Sequence, residues 1–232
     1  MEYRAEDKYI VTDAELALAE ARISPLLEHD EHQKGRCYEI RSLYFDDADD
    51  SGMAENESGD DMRRKYRIRI YGNSDAFIRL EVKEKYRGFT KKISCGISRD
   101  EFEAIADGSM PFVPDRRSAL NLFMLQKRTA DLRPRILVVY ERSAFVYPAG
   151  NVRITFDRNI LASGHINSLF DGNIPGLIPV MPGGRHILEV KYDEFLPRFI
   201  ASQLETGHMQ QTAFSKYYLS RLAAEGDFPI TD

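Results

Sequence analysis

In RRKYRIRIYG, residues 63–72, the cations Lys65, Arg67 and Arg69 alternate with Tyr66, Ile68 and Ile70. A strand repeats every two residues, so such cations share one face and the apolar residues take the other. A row of this kind presents donors suited to phosphate oxygens, Arg as a planar fork and Lys as a point charge. The pattern recurs along the chain. Arg79, Glu81, Lys83 and Lys85 align opposite Ile78, Leu80 and Val82. Arg153, Thr155 and Asp157 oppose Val152, Ile154 and Phe156, and Glu189 and Lys191 oppose Leu188 and Val190. Arg4, Glu6 and Lys8 form another set, and Tyr140 aligns with Arg142.

Two dispositions of these faces are open from periodicity. Surface strands carry Lys and Glu, so all could face solvent. Against that, like charges directly opposite on paired strands destabilise a sheet, and here basic heads outnumber acids. An inward arrangement requires a polyanion to neutralise it. The sparse acids Glu6, Glu81, Asp157 and Glu189 would then suit Mg²⁺ or Mn²⁺, hard cations that favour carboxylate and phosphate oxygens. The formal net charge of -5 and pI near 5.6 make any basic site a local one. Nucleic acid is disfavoured as a partner. Its stacking platforms need aromatics interleaved with the basic face, whereas Tyr66, Phe156 and Tyr192 lie on the opposite one. His29, His32, His165, His186 and His208 show no ligand spacing, and His186 reads as structural. MPGG at 181–184 lacks the Lys-Ser/Thr of a P-loop and precedes a strand. Cys37 and Cys95 form no metal or redox motif and read as free thiols of a reducing compartment.

The elements that must position these residues are mostly strands. They are expected at 3–11, 37–47, 64–72, 77–86, 89–97, 135–147, 152–160 and 185–193. A helix follows Thr12 or Asp13, with Leu16, Ala19, Ile23 and Leu26 as its apolar stripe and Pro25 as its interruption. Ser98 and Glu101 form a capping box for a second helix, ended near Gly108. Further helices are expected at 116–131, 194–204 and 212–226. Residues 48–62 are acidic and read as a mobile loop with one helical turn. The fold class is α+β: one antiparallel sheet or barrel with peripheral helices, as a single domain over 1–232. No stretch approaches the length of a membrane span, and the N-terminus lacks an apolar signal core. A cytoplasmic location is expected.

In order, AEDKY, IRSLYFDD, RRKYRIRIYG, RLEVKEKY, TKKIS, VYERSAF, VRITFDRNI, ILEVKYDE and FSKYY resemble the VTC-type polyphosphate polymerase domain of the triphosphate tunnel metalloenzymes. The resemblance spans residues 3 to about 222. It implies an antiparallel tunnel barrel (the triphosphate tunnel fold) that transfers the ATP γ-phosphate onto a growing polyphosphate and releases ADP, with Mn²⁺ or Mg²⁺ as cofactor. The phosphate ligands it implies are Lys8, Arg67, Arg69, Lys83, Arg142, Arg153, Lys191 and Lys216, with Glu189 for the metal. Lys65, Lys85, Glu6, Glu81 and the pair Lys91 and Lys92 are further substrate-binding candidates. Strand parity admits only one of Lys91 and Lys92 to the interior. Tyr44 and Ser215 match motif letters without an assigned role. The CYTH-like branch carries two alternating glutamates before the lysine; here Arg4 replaces the first, which fits the VTC branch. Two other readings remain, a metal-dependent tripolyphosphatase or nucleoside triphosphatase on the same fold, and a non-catalytic polyphosphate- or nucleotide-binding module. A membrane partner, if the product is exported, would be a separate protein.

Overall fold

The computed structural model describes residues 5–31, 33, 35–60, 62–86, 89–114, 116–205 and 209–227. In chain order the elements are β1 (Ala5–Thr12), α1 (Asp13–Ile23), β2 (Glu28–His29), β3 (Tyr38–Asp46), α2 (Ser51–Glu57), β4 (Met62–Tyr71), β5 (Ser74–Tyr86), β6 (Phe89–Ile97), α3 (Arg99–Ala106) and α4 (Ser118–Thr129). They continue with β7 (Arg133–Tyr147), β8 (Val152–Ser163), β9 (Ile178–Pro179), β10 (Arg185–Tyr192), α5 (Arg198–Leu204), β11 (Gln210–Gln211) and α6 (Lys216–Glu225). The strands form one antiparallel sheet in the order β11-β1-β10-β8-β7-β3-β4-β5-β6, with β2 on β7 and β9 on β8.

The sheet is curled. Six steps along its order separate β1 from β5, a distance of roughly 29 Å in a flat sheet at about 4.8 Å per strand. Yet Lys83 Nζ of β5 lies 3.0 Å from Glu6 Oε2 of β1. The expected closed barrel is nonetheless not formed: β6 and β11 are the ends of the hydrogen-bonded path and do not pair. Side chains rather than backbone ladders bridge the opening.

Three apolar clusters hold this shape. On the convex side, Tyr66, Ile68, Ile70, Leu80 and Val82 pack against Phe102 and Ile105 of α3 and Leu120, Phe123 and Met124 of α4. Val11, Ile154, Phe156, Leu188 and Val190 pack against Leu16, Ala19 and Ile23 of α1 and Ile200 and Leu204 of α5. The third cluster lies on the concave side, where Ile40, Tyr44, Val138, Tyr140 and Ile187 meet Phe214, Tyr217 and Leu219. So α6 is not peripheral as expected. It fills part of the interior, and only the remainder of that face is polar. At the end of β8's polar run, Asn159 takes a positive φ of 49° where the β7–β8 register shifts. This bulge moves the inward set from Arg153, Thr155 and Asp157 to Ile160 and Ala162, which join the α6 cluster.

Local signals explain the helix limits. Thr12 caps α1 and Ser98 caps α3, each in a reciprocal box with Glu15 or Glu101. α1 stops at Ile23, two residues before Pro25; Leu27 is buried where Leu26 was expected, and Leu26 is exposed. The segment read as a mobile loop contains the seven-residue helix α2. Its initial amides have no side-chain cap of the usual kind; Asp47 Oδ1 accepts from Ser51 N and Asp46 Oδ1 from Gly52 N. A Cβ on Gly52 would meet the Asp46 carboxylate at 3.0 Å, so glycine is what lets the helix seat on that side chain. His186 is structural, its Nε2 lying 2.8 Å from Asp13 Oδ1. Neither cysteine forms a disulfide, Cys95 being buried and Cys37 half-buried. Among the described residues no helix is long and apolar enough to cross a membrane. Arg4, His32 and His208 lie outside the described residues.

Candidate functional site

The polar remainder of the concave face carries three carboxylate-centred groups. The first unites β1, β10 and β5. Register places Lys8 opposite Glu189 and Glu6 opposite Lys191. Lys8 Nζ and Lys83 Nζ lie 2.9 and 3.0 Å from Glu6, and Lys191 Nζ lies 2.5 Å from Glu189. Burial and the neighbouring Glu189 charge oppose ionisation of Glu6. Lys191, Lys8 and Lys83 outweigh them and hold its pKa down at about 2. Glu189 is likewise held well below the usual carboxylate range: burial opposes its charge, and Lys191, Lys8, Lys216 and Arg142 prevail.

The second group centres on Glu81 of β5, which is 2% exposed. Arg67 and Arg69 of β4 approach it to 2.6 and 2.8 Å, and Lys92 of β6 to 3.4 Å. Arg67 also donates to Tyr44 Oη at 3.1 Å. The third centres on Asp157 of β8. Arg142 grips its two oxygens at 2.6 and 2.7 Å, and Lys216, the first residue of α6, lies 2.6 Å away. Tyr140 lies beneath both cations, its ring centre 5.3 Å from the Arg142 guanidinium carbon and 4.9 Å from Lys216 Nζ.

The remaining candidates divide. Arg153 shares the inward register with Lys191 but pairs with Asp30 at 2.9 Å, at the margin. Lys65 carries no ion pair among the described residues; its Nζ donates to Ser215 Oγ at 2.7 Å and Asn56 Oδ1 at 3.0 Å. Lys85 continues the inward parity beyond Lys83. For the TKKIS pair, Lys92 lies opposite Lys83 and reaches Glu81, whereas Lys91 lies opposite Glu84. Glu84 binds Arg64 on the other face, so Lys91 is removed from the site by strand parity. Sequence reasoning offered Asp157 as one of four acids suited to a metal, whereas here it orients two cations, and it gave no site role to Asn56, which α2 brings to Lys65. Asp157 did show its inward period; the position of Asn56 depends on a helix that the acidic composition concealed.

Cations lacking a full set of acids have low proton affinity. Burial, then the charges of Lys8, Lys83, Arg63 and Lys85, push the Lys65 pKa down to about 7. Lys83 and Lys92 are lowered to about 8, chiefly by burial, which outweighs the raising effects of Glu6 and Glu81 respectively. Several inward donors also lack any partner: Ser42 Oγ, Thr155 Oγ1 and Arg69 Nε are buried and unbonded. Buried polar atoms are normally satisfied; these inward ones are not bonded within the fold.

The family model described as the VTC domain matches residues 3–224. The chain belongs to this family. No curated protein matches the chain. Among solved structures, the PH1819 protein from Pyrococcus horikoshii OT3 is similar at 15% identity, over 96% of this chain and 99% of that one, with a TM-score of 0.49. The PH1012 protein from the same organism is similar at 12% identity, over 88% and 85% of the two chains, with a TM-score of 0.43. The VTC-domain membership supports a phosphate-handling role for the basic concavity.

Proposed function

We propose that this VTC domain is a divalent-metal-dependent polyphosphate polymerase that transfers the γ-phosphoryl group of ATP to a polyphosphate chain bound along the concave face. One observation carries the reading: among the described residues Lys8, Arg67, Arg69, Lys83, Lys92, Arg142, Lys191 and Lys216 converge there on Glu6, Glu81, Asp157 and Glu189, Lys65 stands beside them without an acid, and buried donors are left unbonded. A linear polyanion would supply the missing charge and the missing acceptors.

Phosphoryl transfer needs positioning and charge neutralisation more than covalent chemistry. Arg67 and Arg69, fixed by Glu81, and Arg142, fixed by Asp157, would orient phosphate oxygens by paired N–H bonds. Lys8, Lys83 and Lys191, on flexible stems, would exchange carboxylate partners for phosphate oxygens. Glu189 and Glu6 fit a Mg²⁺ or Mn²⁺ ion, because they sit on neighbouring strands within each other's field. No group of three or more His, Cys, Asp or Glu among the described residues could hold an ion. Mg²⁺ would need no such group, since it takes one or two carboxylates and completes its shell with substrate phosphates and water. Bound there, the ion would neutralise charge on the transferring group.

The test is incubation with ATP and Mn²⁺ or Mg²⁺, with gel analysis for chains and assays for ADP and free phosphate. Chains with ADP support the polymerase. Free phosphate without chains would replace it with a hydrolase, and triphosphate binding without turnover with a binding module.

A further inference from the structure

Lys65 differs from the other inward cations. Its neighbour is a hydroxyl, not a carboxylate. Ser215 Oγ, 2.7 Å from Lys65 Nζ, is half-buried on the concave side. It stands between Phe214, whose carbonyl accepts from Lys8 Nζ at 3.0 Å, and Lys216, which holds Asp157. A serine hydroxyl within hydrogen-bond reach of a base is the arrangement by which this weak nucleophile is activated. Resting on the reading that a nucleoside triphosphate binds in the concavity, we propose that Ser215 is a covalent phosphoryl acceptor, with Lys65 as its base, and that the resulting phosphoserine primes chain growth.

Ser215 Oγ would attack the γ-phosphorus. The Oγ–P bond forms as the bond from that phosphorus to the β-phosphate oxygen breaks, ADP leaves, and the hydroxyl proton passes to neutral Lys65 Nζ. A substantial share of neutral amine exists near neutrality, since burial and the cations Lys8, Lys83, Arg63 and Lys85 hold the Lys65 pKa at about 7. Asn56 Oδ1, 3.0 Å from Nζ, keeps the amine in place. The product is also favoured. Ser215 caps α6, accepting from Tyr218 N at 3.2 Å, and a phosphate at a helix N-terminus gains its free amides and dipole. Capping alone does not account for the Lys65 contact, because a cap needs only the oxygen facing the helix amides. A polymerase that extends an existing chain lacks a first acceptor, and this hydroxyl would provide one.

The full chain is incubated with ATP and Mg²⁺, quenched in acid during turnover, denatured to strip bound chains, and mapped by peptide mass spectrometry. ADP and polyphosphate are measured in the same samples. The expected result is one or more phosphoryl groups on Ser215, absent in Ser215→Ala and retained on the hydroxyl of Ser215→Thr. Lys65→Arg keeps the charge but cannot act as a base at neutral pH, and should slow modification by about a hundredfold or more. ADP and chains formed while Ser215 stays unmodified would overturn the priming role and leave the polymerase standing. Modified Ser215 without free chains would support the acceptor and remove the polymerase. Absence of both ADP and phosphoserine would overturn both.

Discussion

Asp157→Asn is the sharpest structural test of how the site is held. Asp157 is 0% exposed and receives bonds from Arg142 Nε at 2.6 Å, Arg142 Nη2 at 2.7 Å and Lys216 Nζ at 2.6 Å. Burial opposes its charge, but Arg142 and Lys216 hold its pKa below the usual value. Asparagine preserves the shape and one acceptor while leaving two buried cations without their direct carboxylate partner, with the field of Glu189 still acting on both. Removing one partner of a buried ion pair costs about 3–5 kcal/mol, a large part of a total stability of about 5–15 kcal/mol. With two cations stranded, the upper half of that range is expected. In urea, with a slope of about 3 kcal/mol per molar, the midpoint should fall by roughly 1.5 M at unchanged slope. Replacing the whole group, as Asp157→Leu with Arg142→Met and Lys216→Met, should recover most of the loss, because no charge remains to desolvate. The carboxylate's folded pKa is depressed, so its contribution is fully present above the unfolded value of about 3.9 and is lost as pH falls through the folded value. The gap between wild type and Asp157→Asn should therefore close in acid. A loss under about 1 kcal/mol at neutral pH would refute the view that Asp157 is the anchor of these two cations.

Other outcomes follow from the same geometry. Tripolyphosphate affinity should fall between pH about 7 and 9 as Lys65, Lys83 and Lys92 lose their protons. Over that window the unfolded chain binds more protons at these lysines, so their contribution to ligand-free stability should rise with pH; calorimetric titration and urea unfolding across that range check both signs. Lys92→Met should weaken tripolyphosphate binding at least several-fold while Lys91→Met leaves it unchanged, and equal effects in a binding titration would contradict the strand parity. Glu189→Gln should abolish metal-dependent ATP turnover, measured as ADP release; unchanged turnover would exclude it as the metal ligand. Phe123→Ala removes a 0% exposed ring packed against Phe45 and Tyr66, and should cost about 3–5 kcal/mol in urea unfolding.

The alternation of single strands was legible without coordinates, since a period of two is a local property of extended backbone. It correctly paired Lys65, Arg67 and Arg69 on one face and Tyr66, Ile68 and Ile70 on the other. The capping boxes at Thr12 and Ser98 were legible for the same reason, being bonds between residues three apart. The VTC-domain resemblance, too, lay in the order of the motifs.

What the chain does at a distance was decided by tertiary structure. Which of Lys91 and Lys92 turns inward depends on their pairing with β5, not on their own segment. That α6 occupies the concave side, delivering Lys216 to Asp157 and Ser215 to Lys65, depends on apolar residues from β3, β7 and β10 that converge only in the folded sheet. The sheet's open ends were invisible as well, because closure is a property of the whole hydrogen-bonded path. Local spacing determined which side chains travel together. Packing of distant elements determined which charges meet, which stay unpaired, and so which are left for a ligand.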